Sequence, residues 1–205
     1  MFYRKLLAAL ALGALAAGLV WAVRHPAGGP FPLSFPKSSL RARGNPAAPV
    51  RVIEYLDYQC PACVAQSRLM EGYAARFPTR LYWEVRFYPF LNHPHAFKSA
   101  IYADCAARRG RFWEFHKRLF ERQAEWGALP RERIDDHLEG LAREVGIAPE
   151  AMRACVEDPR VKEAVLEEVS AAKAAGVRVT PTFLVNGKWV TTEEDLKKEL
   201  ERSLA

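Results

Sequence analysis

The stretch VIEYLDYQCPACVAQSRLM, residues 52–70, sets Cys60 and Cys63 two residues apart, where an apolar strand-like run gives way to a helix-like one. Few folds tolerate a Cys-x-x-Cys pair at such a junction. Residues i and i+3 of a helix share a face, so the two sulfurs can bond to one another. Cys60 would fall at the N-cap, where free backbone N–H groups and the helix dipole favour a thiolate. Pro61 suits the first helical position, which needs no donor. Cys60 is therefore expected to be the exposed, attacking sulfur, and Cys63, one turn further in, the shielded sulfur that resolves a mixed disulfide. Zinc would need two more ligands at a recognisable spacing, and no second Cys-x-x-Cys and no His-x-x-x-His occurs. A purely structural bridge over four residues would close almost no loop.

The surroundings read as alternating strand and helix. APVRVIEYLDY is β-branched and aromatic and reads as a buried strand. From Pro61 to about Phe77 the pattern turns helical, with Val64, Leu69, Tyr73 and Phe77 roughly on one face. RLYWEVRFYPF alternates, is aromatic and ends at Pro89, which makes a βαβ unit with a parallel strand pair. Residues 92 to about 175 carry almost no strand signal and read as several short helices, with Trp113 and Trp126 in the core. His93 and His95 fit a turn and a helix start rather than a metal site. In VRVTPTFLVNGKWV two short strands meet at Asn186-Gly187, a strong type I′ hairpin signal. TTEEDLKKELERSLA closes as a helix capped by Thr191 or Thr192. Pro181 stands at a strand start, where it cannot donate to the ladder. A cis Thr180–Pro181 bond there would expose backbone groups for another extended chain to pair with.

The first residues set the compartment. Arg4 and Lys5 precede an uncharged apolar run from Leu6 to Val23, then Arg24 and a Pro/Gly/Ser-rich stretch. Residues 1–24 are expected to be a membrane anchor or a signal peptide, and the length of the run favours an uncleaved anchor. Residues 25–45 are expected to form an irregular linker. Either way the remainder is exported, where disulfides persist. The four cysteines, Cys60, Cys63, Cys105 and Cys155, allow three full pairings, and the sequence alone does not choose among them. The net charge of +6 comes largely from arginines beside glutamates. No basic block with interleaved aromatics stands out, so no nucleic-acid partner is expected; a mild attraction to anionic membrane surfaces accounts for the charge.

The motifs YLDYQCPAC, GRFWEFHKRLF and GVRVTPTFLVNG, with a helical block interrupting a βαβ–ββα core, resemble the DsbA-like branch of the thioredoxin superfamily. The resemblance covers about residues 46–205. It implies an α/β, thioredoxin-like fold (βαβ…ββα) over 46–91 and 176–205, with an all-α insertion over 92–175. It implies thiol–disulfide exchange with exported proteins, with Cys60 as nucleophile, Cys63 as resolving thiol, and Thr180 and cis-Pro181 contacting the substrate. The family often buries an acidic residue six positions before the first cysteine. That position is Glu54, a candidate proton acceptor for Cys63, whereas Asp57 and Tyr58 are expected to shape the approach loop. A second disulfide within the helical block is familiar in exported relatives and implies a Cys105–Cys155 bond. The strongest oxidants of the family carry histidine between the cysteines; this chain has Pro61-Ala62.

The resemblance further implies exported cysteine-containing proteins as substrates and a quinone-linked membrane partner of the DsbB or VKOR type that reoxidises the pair. No cofactor and no metal are expected. The alternatives are a reductase or isomerase fed with electrons from across the membrane and, from a different class, a copper or zinc chaperone using the same cysteines. Pro181 beside the pair speaks against metal capture.

Overall fold

A computed structural model of the protein describes residues 38–205. The anchor or signal peptide expected over 1–24, and the linker as far as residue 37, lie outside the described residues. The centre of the fold is a five-stranded sheet of β1 (Ala42–Gly44), β2 (Val50–Leu56), β3 (Leu81–Phe87), β4 (Thr182–Val185) and β5 (Lys188–Val190), in the order β1-β3-β2-β4-β5. β2 and β3 are parallel, from Val50 opposite Leu81 to Leu56 opposite Phe87. They are joined by helix α1 (Pro61–Arg76). On the other side of β2 run β4 and β5, both antiparallel to their neighbours. Their connection places Asn186 at φ 47° and Gly187 at φ 88°, the positive pair a type I′ turn requires. Helix α8 (Glu193–Leu204) follows, capped by Thr192, whose hydroxyl accepts from Asp195 N at 3.2 Å.

β3 shows why strand alternation does not always mean a half-exposed strand. Leu81, Trp83, Val85 and Phe87 enter the main core, and the intervening polar residues are buried as well. Arg86 pairs with Glu84, and the Tyr82 hydroxyl donates to Glu84 at 3.2 Å, so the polar face is satisfied without water. In α1 the expected apolar face lies at the margin of the buried surface. The fully buried residues are Cys63, Gln66, Ser67 and Met70, while Val64, Leu69, Tyr73 and Phe77 pack half-buried beside them. Hydrophobic periodicity marks apolar side chains. It misses a polar pair buried because a partner waits for it.

The expected linker over residues 25–45 needs correction at its end. Ser38–Arg41 form a 3₁₀ turn, and Ala42–Gly44 form β1, antiparallel to β3. Gly44 has φ 87°, and a Cβ there would lie 2.0 Å from the Leu81 carbonyl oxygen, so only glycine lets this strand end lie against β3. Arg41 is buried and donates to both carboxylate oxygens of Glu168, at 3.2 and 2.7 Å. Glu168 also accepts from Phe87 N at 3.0 Å, and the Arg41 guanidinium lies 4.0 Å from the Phe87 ring centroid. These contacts tie residues 38–44 into the domain, although their Ser, Arg and Gly content looks like linker.

Between β3 and β4 lies the helical insertion: α2 (Ala96–Arg108), α3 (Phe112–Glu121), α4 (Gln123–Gly127), a 3₁₀ turn at Arg131–Arg133, α5 (Ile134–Glu144), α6 (Pro149–Val156) and α7 (Pro159–Ala174). Cys105 of α2 and Cys155 of α6 form a disulfide. Trp126 is fully buried, and Trp113 is half-buried against the same core. Among the described residues, no helix is long and apolar enough to cross a membrane.

Candidate redox site

Cys60 is the N-cap of α1, with φ −75° and ψ 120°, and Pro61 occupies the first turn. The Cys63 N–H donates to the Cys60 carbonyl at 3.2 Å. Both cysteines are free thiols. Cys63 is fully buried; Cys60, expected to be exposed, retains only 8% of its accessible surface. The reason is tertiary. The Thr180–Pro181 bond is cis, and the Thr180 carbonyl lies 3.4 Å from Cys60 Sγ, so the loop before β4 covers the sulfur. The Thr180 hydroxyl is buried without a hydrogen-bond partner, and it favours the thiolate form of the same sulfur.

The two thiols differ electrostatically. As a thiol, Cys60 donates to the Thr180 carbonyl. As a thiolate, it accepts from the Cys63 thiol first, then the Thr180 hydroxyl and the backbone N–H groups of Cys63 and Ala62. These donors outweigh the cost of burial and bring its pKa down to about 5. Cys63 moves the other way: burial comes first, then its bond to Cys60, and both hold it well above its ordinary value. At neutral pH Cys60 is therefore a thiolate and Cys63 a thiol.

Glu54 on β2 is fully buried. One carboxylate oxygen accepts from Trp83 Nε1 at 2.9 Å, and Oε1 has no partner. Burial raises its pKa to about 8; the indole bond, Glu71 and Arg43 make smaller adjustments. The charge of Glu54 is felt at Cys63. A carboxyl that titrates just above neutrality beside a buried thiol can take or return a proton.

The approach loop is held by side chains rather than by regular structure. Asp57, buried, accepts from Gln59 N at 2.7 Å, Phe90 N at 2.9 Å and His93 Nδ1 at 2.7 Å. Gln59 accepts from His95 N and donates to the Gly127 carbonyl. Gln123 of the insertion donates to the carbonyls of both Tyr58 and Cys60, at 2.8 and 3.0 Å. His93 and His95 thus serve the loop and the start of α2, and His95 also contacts the Leu129 carbonyl at 2.7 Å. Among the described residues, no cluster of three or more His, Cys, Asp or Glu side chains is arranged to hold a metal ion.

Sequence reasoning missed a buried polar chain. Tyr58 OH lies 3.0 Å from His116 Nδ1, and Ser67 Oγ lies 2.8 Å from His116 Nε2. All three side chains are buried. The only signal was His116 inside GRFWEFHKRLF, at a position flanked by core aromatics. Arg43, whose guanidinium lies 3.7 Å from the Trp113 ring centroid and 4.9 Å from that of Trp83, and Gln123 were missed too; each is an ordinary surface-type residue whose partners lie far away in sequence.

The sheet, the helical insertion and the dithiol at a helix N-terminus together define a thioredoxin-fold protein. The thioredoxin family model matches residues 38–202, and the chain belongs to that family. Among curated proteins it is similar to the Na(+)/H(+) antiporter NhaA of Herminiimonas arsenicoxydans, 35% identical over 146 residues, which make up 71% of this chain and 22% of that protein. NhaA 3 of Salinispora tropica is 33% identical over 148 residues, 71% of this chain and 21% of that protein. The chain thus spans about a fifth of the length of these relatives. Among solved structures it is similar to a thioredoxin-like oxidoreductase from Silicibacter pomeroyi, with 25% identity and TM-score 0.64, covering 79% of this chain and 90% of that one. BdbD from Bacillus subtilis, at 23% identity and TM-score 0.69 over 80% and 92% of the two chains, shares the fold. So does alpha-DsbA1 from Wolbachia pipientis, at 17% and 0.66 over 80% and 92%.

Proposed function

We propose that this protein is a thiol–disulfide oxidoreductase that oxidises cysteines of exported proteins through the Cys60–Cys63 pair. The observation that carries the reading is the asymmetry of the pair: a thiolate at a helix N-cap beside a buried, protonated thiol. In the oxidising direction a substrate thiolate attacks Cys60 Sγ, the Cys60–Cys63 bond breaks, and Cys63 leaves and is protonated, with Glu54 as the donor. A second thiolate of the substrate then attacks the substrate sulfur of the mixed disulfide, forms the substrate's disulfide and releases Cys60 as a thiolate. The substrate loses two electrons, and the enzyme pair gains them. The loop before β4 supports substrate docking, because the Thr180 carbonyl lies 3.4 Å from Cys60 Sγ.

The depressed Cys60 pKa favours oxidation over reduction. Stabilising the thiolate stabilises the reduced enzyme. A pKa of about 5 makes the pair more oxidising at pH 7 by up to about 60 mV, taking about 30 mV for each pK unit below pH 7. The Cys105–Cys155 bond is in keeping with an oxidising compartment. The reading includes residues 6–23 as the anchor on the outer face of the membrane, and a quinone-linked membrane protein of the DsbB or VKOR type that reoxidises the pair.

The test is the Cys60–Cys63 potential measured against glutathione. A value more oxidising than about −200 mV supports the oxidase; a value near about −270 mV assigns the chain to the reductases. Trapping completes it. Cys63→Ala is expected to accumulate mixed disulfides through Cys60, and equal trapping through Cys63 in Cys60→Ala would reverse the roles.

A further inference from the structure

The buried chain Tyr58–His116–Ser67 connects three separate parts of the molecule. Tyr58 belongs to the loop that leads into Cys60, two residues before it. Ser67 lies on α1, four residues after Cys63, on the same helix face and one turn further in. His116 comes from α3 of the insertion, 58 residues from Tyr58 and 49 from Ser67. The imidazole also sits edge-on to Trp83, at 5.9 Å between centroids, and Trp83 donates to Glu54. Tyr58 in turn feels the charges of both Glu54 and Cys63. His116 therefore touches the loop and the helix that carry the buried thiol, and the indole that holds its neighbouring carboxyl.

The ring is neutral and bonded at both nitrogens. His116 is fully buried among aromatics, Arg43 is a charged group felt there, and burial lowers its pKa to about 3. A neutral imidazole has one donor and one acceptor. One of the two hydroxyls, Tyr58 or Ser67, therefore accepts from the ring and the other donates to it.

We propose that His116, as a neutral ring bonded at both nitrogens, is a positioning residue for the buried thiol Cys63. By clamping Tyr58 to Ser67 it fixes the entry loop against the turn of α1 just past Cys63. It thereby sets how readily Cys63 attacks the Cys60 sulfur of a mixed disulfide. In that step the new bond is Cys63–Cys60, the substrate thiolate leaves, and the pair ends oxidised. The clamp reaches Cys60 only through Cys63, whose thiol is the first of its donors; Thr180 and the backbone N–H of Ala62 supply others. This proposal rests on the thiol-exchange reading above.

The test measures two rates and one spectroscopic signature. The lifetime of the mixed disulfide with a cysteine-containing peptide reports attack by Cys63, and alkylation of the reduced protein reports Cys60. His116→Leu, which leaves the Tyr58 and Ser67 hydroxyls without the ring, is expected to lengthen the lifetime about tenfold, while Cys60 alkylation changes by a smaller factor. His116→Gln, whose amide nitrogen can occupy the Nε2 position over Ser67, is expected to recover most of the loss. Nitrogen-15 shifts of the wild-type ring are expected to show a neutral imidazole, with no protonation at any pH above about 3 while the protein stays folded. An unchanged lifetime in His116→Leu, or equal slowing of both rates, would overturn the positioning role, as would a ring protonated at neutral pH or a glutamine variant no better than leucine. A wild type that forms no mixed disulfide at all would sink the thiol-exchange reading itself, and the positioning role with it.

Discussion

Replacing Glu54 with Gln gives a prediction whose sign follows from burial alone. Glu54 has one hydrogen-bond donor, Trp83, and an unpartnered Oε1. Burial raises its pKa from 4.5 to about 8. Between those values the folded protein holds a proton that the unfolded chain has released. The stability this group contributes is therefore fully present below the unfolded pKa and is lost as pH rises through the folded pKa. The interval from 4.5 to about 8, at about 1.36 kcal/mol per pH unit, amounts to about 5 kcal/mol. Glu54→Gln removes the titration, so wild type is expected to lose about 5 kcal/mol relative to the variant between about pH 4 and about pH 9. Urea unfolding followed by tryptophan fluorescence measures it, on oxidised protein so that Cys60 and Cys63 do not titrate. A difference between the two proteins that stays flat within about 1 kcal/mol over this range would refute the reasoning and put Glu54 in contact with water. On the oxidoreductase reading, the same substitution slows resolution of the mixed disulfide by Cys63, which needs a proton acceptor, more than its formation by attack of reduced Cys60 on a peptide disulfide.

Alkylation of the reduced protein at Cys60 is expected to rise with a midpoint near pH 5 and stay level through neutrality; a midpoint at or above about 8 would remove the thiolate. Arg41→Leu leaves Glu168 buried without its cation, and chemical unfolding is expected to show a loss of about 3–5 kcal/mol. A loss under about 1 kcal/mol would mean that residues 38–44 are held by something else. Removing the Cys105–Cys155 bond by a double change to Ala opens a closure of 50 residues and is expected to cost about 4 kcal/mol in the chain-entropy description, with the alkylation midpoint of Cys60 unchanged. A shifted midpoint would tie that disulfide to the redox pair.

The residues that sequence alone determined act over short spans. The i, i+3 spacing of Cys60 and Cys63, Pro61 in the first turn, the Asn186-Gly187 turn and a threonine cap at 191 or 192 are each settled within a few residues, and the structure places them as local chemistry requires, with Thr192 as the cap. The alternating strand and helix patterns located the βαβ and ββα halves and the helical insertion for the same reason. Tertiary structure decided what depends on distant partners. Arg41 reads as linker until Glu168, 127 residues away, pairs with it. Ser67 reads as a solvent-facing helix position until His116 meets it. Cys60 reads as exposed until the loop at Thr180, 120 residues on, covers it. A buried polar or charged side chain is stable only when its partner is in place, and no local pattern in this chain names a partner that folding alone brings near.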